Sequence, residues 1–340
     1  MRWRGTCILA MALLAVAATT SAGDVMNMPA GQTSLQFVTV GDAGNAPDAT
    51  TGLGAVNYTY GMGEFDVTAA QYVAFLNAVA GANPYGLYSS SMAGNADCGI
   101  QRSGASVSYS YTVDSQHANH PVNFITFGDA ARFCNWLTNG QPTGSENLTT
   151  TENGSYDLNG TTGNAALLAV TRTANAVYVL PTENEWYKAA YYKGGGTNAG
   201  YWAYPTQSMT APTAVAPADQ QSESLGGSAN YLSILGTAHL TDVGAYTGSP
   251  GPYGTFDQGG LLYDWTDTLL NAGYYGFAQC NSSWESSSSS ELKSNYEIWP
   301  WSPTDSYNFT GSRIAEVPEP AALSLLTAGA GLILLRCRRR

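Results

Sequence analysis

Residues 180–186 read Leu180-Pro181-Thr182-Glu183-Asn184-Glu185-Trp186 and contain a complete helix start. Thr182 at the N-cap and Glu185 three residues on form a capping box, in which each side chain bonds the other's backbone amide. Carboxylates in a first turn also sit favourably against the helix dipole. Trp186, Ala189 and Ala190 then share one face, and Gly194-Gly195-Gly196 terminates the run. The same logic predicts a helix after Thr68-Ala69-Ala70-Gln71, with Tyr72, Phe75, Leu76 and Val79 inward and Gly81 at its end. A third runs from Thr126 to Asn139, with Ala130, Phe133, Cys134 and Leu137 as its stripe and Gly140 as its stop. Each helix is about 12 residues long. Ahead of them Ser34–Val40 alternates polar and apolar residues and predicts an opening strand.

Helical periodicity ends near Gly195. Ala203–Gly260 reads as turns, with short runs such as Asp242–Tyr246. Ser286–Ser290 is an unbroken serine run bracketed by Trp284, Tyr296, Trp299 and Trp301. Exposing those aromatics together would be costly, which predicts that this stretch packs onto the body. With no internal repeat and no strong linker, the body is one α+β domain of about 280 residues with much irregular structure.

Hydrophobic residues make up 44% of the 340, enough for a core, and charged residues only 11%. Basic residues concentrate at the ends. Between residues 23 and 335 seven face all 25 acids, a net −18 that repels phosphate backbones and argues against nucleic-acid binding. At the N-terminus, Arg2 and Arg4 precede apolar Cys7–Ala18, and Thr20-Ser21-Ala22 offers small residues for cleavage after Ala22. Residues 1–22 thus read as a secretory signal, substrate for a signal peptidase. Export accords with cysteine usage: outside the ends only Cys98, Cys134 and Cys280 remain, an odd number that allows one disulfide at most and does not say which.

The C-terminal end, residues 317–340, has Val317-Pro318-Glu319-Pro320, then fifteen mostly apolar residues, Ala321–Leu335, then Arg336-Cys337-Arg338-Arg339-Arg340. As a helix the apolar stretch rises about 22 Å, short of the roughly 30 Å bilayer core, and the arginines stay on the cytoplasmic side. These three parts in this order resemble a PEP-CTERM sorting signal, with Pro318, Glu319 and Pro320 as the sorting element. The resemblance implies an exosortase as partner, a transient anchor in the inner membrane, and final residence at the cell surface or in an exopolysaccharide matrix.

Further phrases point to a family for the body. They are Gly63-Glu64-Phe65-Asp66-Val67-Thr68, His120-Pro121-Val122-Asn123, the 180–186 stretch, Asp257-Gln258-Gly259-Gly260 through Tyr263-Asp264-Trp265, and Gly311-Ser312-Arg313-Ile314-Ala315. In this order residues 36–315 resemble the sulfatase-modifying-factor domain of formylglycine-generating enzymes. The resemblance implies an irregular α+β fold related to C-type lectins, with few short helices and strands, often with bound calcium. Active members hold Cu(I) on two cysteines five residues apart and use it to oxidise a substrate cysteine to formylglycine. Soft Cu(I) requires such thiolates. Here Asn281-Ser282-Ser283-Trp284 stands where the family has Gly-Gly-Ser-Trp, and no cysteine lies between Cys280 and Cys337. Copper is therefore not expected, and the resemblance predicts a non-catalytic domain in a structural or binding role. An oxidase using other residues and a calcium-dependent glycan binder are the alternatives.

For calcium, the resemblance points to Asn230, Tyr231, Leu261 and Asp264, although Leu261 replaces the usual Asn and could offer only its carbonyl. His117 and His120 at i and i+3 could suit a metal, or belong to a structural turn. Glu183 and Glu185 could be an acid pair, but capping already explains Glu185. Tyr191, Tyr192, Tyr201, Trp202 and Tyr204 could stack on sugars or simply be core.

Overall fold

The computed structural model describes residues 25–26, 34–217, 223–271, 275–280, 282–296 and 298–318. The signal segment with Ala22, and the tail from Glu319 with Pro320, lie outside these. Along the chain the named elements are β1 (Val25–Met26), β2 (Leu35–Val40), β3 (Tyr60–Gly63), α1 (Ala69–Val79), β4 (Ile100–Ser103), β5 (Ser110–Val113), α2 (Phe127–Thr138), β6 (Tyr178–Val179), α3 (Glu183–Tyr191), β7 (Tyr263–Asn271), β8 (Tyr275–Cys280), β9 (Pro300–Trp301), β10 (Thr310–Gly311) and β11 (Ala315–Glu316). Short helical turns and a two-residue parallel pair, Thr213–Ala214 with Ser228–Ala229, complete the set.

Two sheets organise the molecule. The first has the order β1-β2-β3-β11-β6, antiparallel throughout, and the second the order β9-β8-β7-β10, with β10 parallel to β7. β4 and β5 form a separate hairpin against α1. The predicted capping boxes are made at Thr68–Gln71 and Thr182–Glu185, and α2 has a third, Thr126–Asp129. All predicted inward residues of α1 and α2 are buried. α3 stops at Tyr191, short of the glycines, because Tyr192 turns extended and bridges to Tyr201.

α1 and α2 meet through Phe75, edge-on to Phe133 and tilted on Trp136, each at 5.3 Å. At its other end α2 stacks Phe127 on Phe277 of β8 at 3.8 Å, and β7 anchors there by the bond from Trp265 Nε1 to the Ile125 carbonyl. The mixed α+β architecture thus has few short regular elements and one dominant core spanning both helices and both sheets. Cys98, Cys134 and Cys280 are free, buried thiols.

Candidate functional site

The phrases that carried the family resemblance converge in the interior. Gly311-Ser312-Arg313-Ile314-Ala315 leaves the second sheet at β10 and enters the first at β11. Arg313, wholly buried at this crossing, donates to the carbonyls of Gly63, Glu64 and Phe256 and to Asp66 Oδ1 at 2.5 Å. Its Nε lies 3.5 Å from Asp264 Oδ2, which also accepts the Trp186 indole N–H at 2.9 Å. Burial raises the pKa values of both Asp66 and Asp264; the Asp264 carboxylate raises Asp66 further, while Arg313 opposes the rise in each and the Trp186 and Asp66 hydrogen bonds oppose it in Asp264. Asp257, also facing this charge cluster, is pushed up to about 6 by burial. One guanidinium thus serves three carboxyl groups, and these motif residues act as a structural lock between the sheets.

A second buried network explains Glu185. Arg172 binds Glu185 Oε2 at 2.7 Å and Asp267 Oδ2 at 2.5 Å, Tyr58 donates to Glu185, and Tyr156 to Asp267 at 2.9 Å. Glu185 stays ionised: burial raises its pKa, but Arg172, Tyr58 and the Thr182 amide together bring it below the usual range. Glu183 is buried with its pKa raised by burial alone. The two acids do not form a pair.

The segment after Trp284, where copper thiolates would stand by resemblance, is built from hydroxyls and carboxylates. Ser283 N donates to Ser286 Oγ at 3.1 Å, and Ser287 donates to Glu291 at 2.9 Å. Ser286 and Leu292 are buried while Ser287 and Ser290 are exposed, so the serine run packs onto the body only in part. Cys280 lies buried on β8 with its pKa well above the ordinary thiol value through burial, a protonated and inert sulfur.

The calcium candidates fit poorly. Tyr231 donates its hydroxyl to the Pro212 carbonyl, the Asn230 carbonyl accepts from Leu261 N, and the Leu261 carbonyl accepts from Trp284 N. Asp264 Oδ2 lies 3.5 Å from the Arg313 guanidinium. Of the side-chain oxygens of these four residues, Asn230 Oδ1 and Asp264 Oδ1 are buried without a hydrogen bond, far short of the 6–8 oxygens calcium takes. Leu261 keeps a left-handed backbone, φ 70°, of the kind Asn favours, while supplying no side-chain donor.

All three histidines of the chain fall in one string. His117 Nδ1 lies 2.6 Å from Asp114 and its ring is edge-on to His120 at 5.1 Å. His120 sits 3.4 Å from the Asp97 carbonyl and 3.8 Å from Asp242. Asp97 in turn binds His239 Nδ1 at 2.8 Å, and His239 stacks on Trp284 at 3.8 Å. The i, i+3 spacing brings His117 and His120 together, but among the described residues no group of three or more His, Cys, Asp or Glu is placed to hold a metal. Burial holds His120 below its usual pKa, hence neutral at pH 7. Beside the string lies a polar cleft of about 290 Å³ walled by Asp66, Thr68, Asn119 and Asp242.

The aromatic residues divide differently from the sequence reading. Tyr191, Tyr192 and Tyr204 are core, with only Tyr201 and Trp202 partly exposed. Of the four aromatics that bracket the serine run, Trp284 is buried and Trp301 partly exposed, but Tyr296 and Trp299 are exposed, at 39% and 51%, contrary to the expectation that they pack inward; Tyr307 is exposed as well, at 41%. Nothing in the spacing of those residues distinguishes them from core.

The family profile described as "Sulfatase-modifying factor enzyme 1-like domain" matches residues 12–315. No curated protein sequence matches the chain. Among solved structures it is similar to Treponema denticola variable protein 1, at 19% identity and TM-score 0.50, covering 87% of this chain and 99% of that one. It is also similar to CarF, at 16% identity and TM-score 0.51, covering 84% and 98%. At such identities the likeness concerns the fold. With the family match spanning most of its length, the chain belongs to the sulfatase-modifying factor enzyme 1-like domain family.

Proposed function

We propose that this chain is an exported, non-catalytic member of its family, with a structural or ligand-binding role at the cell surface or in an exopolysaccharide matrix. The observation that carries the reading is the chemistry behind Trp284: serine hydroxyls and the carboxylates of Glu285 and Glu291 occupy the stretch where Cu(I) needs two thiolates. Cys280, nearest in sequence, is buried and protonated. Export is supported by the basic and apolar start ending at Ala22, and exosortase handling by Pro318-Glu319-Pro320, the apolar stretch and the arginine cluster. Titration of the reduced protein with Cu(I) tests the central claim. No stoichiometric uptake is expected; tight one-to-one binding would overturn it.

A further inference from the structure

Among the described residues, every large aromatic with high exposure falls between Tyr296 and Tyr307, on and beside the second sheet. There Tyr263, Trp301, Tyr307 and Phe309, each at least partly exposed, form a continuous array. Tyr307 and Phe309 lie nearly coplanar in direction, 9° apart at 5.0 Å; Trp301 stands edge-on to both, at 5.7 and 6.0 Å; Tyr263 closes the group at 6.0 Å from Phe309. The array is stiffly mounted. Pro300 and Pro303 fix the backbone on either side of Trp301, and Trp301 pairs with Phe277 across β8–β9. Gly276 lets β9 approach so closely that a Cβ there would collide with the Trp301 backbone. Rings held this way lose little freedom when something lands on them.

The surroundings select the ligand. The loop from Ser302 to Asn308 adds Ser, Thr, Asp and Asn side chains, and Ser302 and Thr304 hydroxyls pair at 2.9 Å at its edge. From residue 294 to residue 312 there is no Lys or Arg, whereas Asp305 is acidic. Such a face offers apolar ring surface, hydroxyl-rich edges and no countercharge for an anion. A flat sheet-like apolar partner would gain nothing from those hydroxyls; a pyranose, with C–H bonds on its face and hydroxyls at its edge, matches both. We infer that the Tyr263–Trp301–Tyr307–Phe309 array is a calcium-independent stacking surface for neutral β-linked glycan chains. This rests on the ligand-binding reading above and names its ligand class.

The test uses the full chain in a sugar-free detergent, titrated calorimetrically with cellohexaose, laminarihexaose and chitohexaose, with polygalacturonate as anionic comparison. At least one neutral hexamer is expected to bind, equally with and without a chelator. Tyr307→Ala, at an exposed position, separates surface from fold: it weakens binding about three- to tenfold, while Tyr307→Phe and the remote Met209→Ala do not. Absence of binding by all three hexamers, loss on chelation, equal affinity for polygalacturonate, or an unchanged Tyr307→Ala would each overturn the assignment. Failure here with no Cu(I) uptake leaves the non-catalytic reading standing; Cu(I) uptake with sugar binding intact removes that reading alone.

Discussion

Arg313 shows how much can hang on one side chain. It satisfies three carbonyl oxygens and the charge of Asp66 and Asp264 in a wholly buried place. Arg313→Met keeps the volume but strands two carboxyl groups, which costs about 3–5 kcal/mol when one partner of a buried ion pair is removed. Urea denaturation is expected to show that loss; a shift below about 1 kcal/mol would mean that the carboxyls find other partners. The cysteines give a second prediction at this scale. Burial pushes the Cys98 thiol up to about 12 and those of Cys134 and Cys280 well above the ordinary value. A thiol reagent followed by peptide mapping therefore leaves all three unmodified in the native protein and labels them in denaturant. Native labelling of Cys280 would contradict its placement.

Among the elements, α3 is held by its first turn more than by its length. Thr182→Ala removes the hydroxyl that accepts from Glu185 N at 3.1 Å, a change worth about 1 kcal/mol at an N-cap. Equilibrium unfolding measures it, and a neutral substitution would show that the Arg172–Glu185 bond alone fixes the helix. These helices were legible from sequence because Thr, Gln, Glu and Gly at caps act locally. β7 and β8, the central pair of the second sheet, were not. Asp264, Thr266 and Asp267 point polar groups into the interior of β7, which destroys the alternation that marks a strand. Their partners are Trp186 and Arg313, the Ala278 carbonyl, and Arg172 with Tyr156, and all but Ala278 are remote in sequence. The same remoteness hid the Asp97–His239 bond that joins the histidines. Tyr296 and Trp299 were expected inside and lie outside, because composition does not tell a buried ring from a presented one.

Over the whole molecule, buried acids set the response to pH. Burial raises Asp129 and Asp257 to about 6 and Glu146 to about 7, above their unfolded values. The folded state thus keeps protons that the unfolded chain releases, and stability falls as pH rises from about 4 to about 7. Glu185, with its pKa lowered, acts oppositely: its stabilisation is present above the unfolded value and is lost as pH falls through the folded one. A higher Tm at pH 5 than at pH 8 is expected, with the difference reduced in Asp257→Asn; a Tm that climbs toward pH 8 would refute the account. Localisation belongs to this scale too. Among the described residues no helix is long and apolar enough to cross a membrane. If residues 317–340 sort the protein, deleting them releases it from the envelope fraction, and unchanged fractionation would count against sorting by this tail.

The two sheets share a late arrival. β10 closes against β7, and β11 slips between β3 and β6, so residues 310–316 supply a strand to each sheet and the cation between them. A polypeptide still emerging, with that segment not yet delivered, has two gaps and uncompensated acids where its centre will be. Maturation of this body therefore waits on residues 310–316, and the chain becomes rigid only once those last two strands are in place.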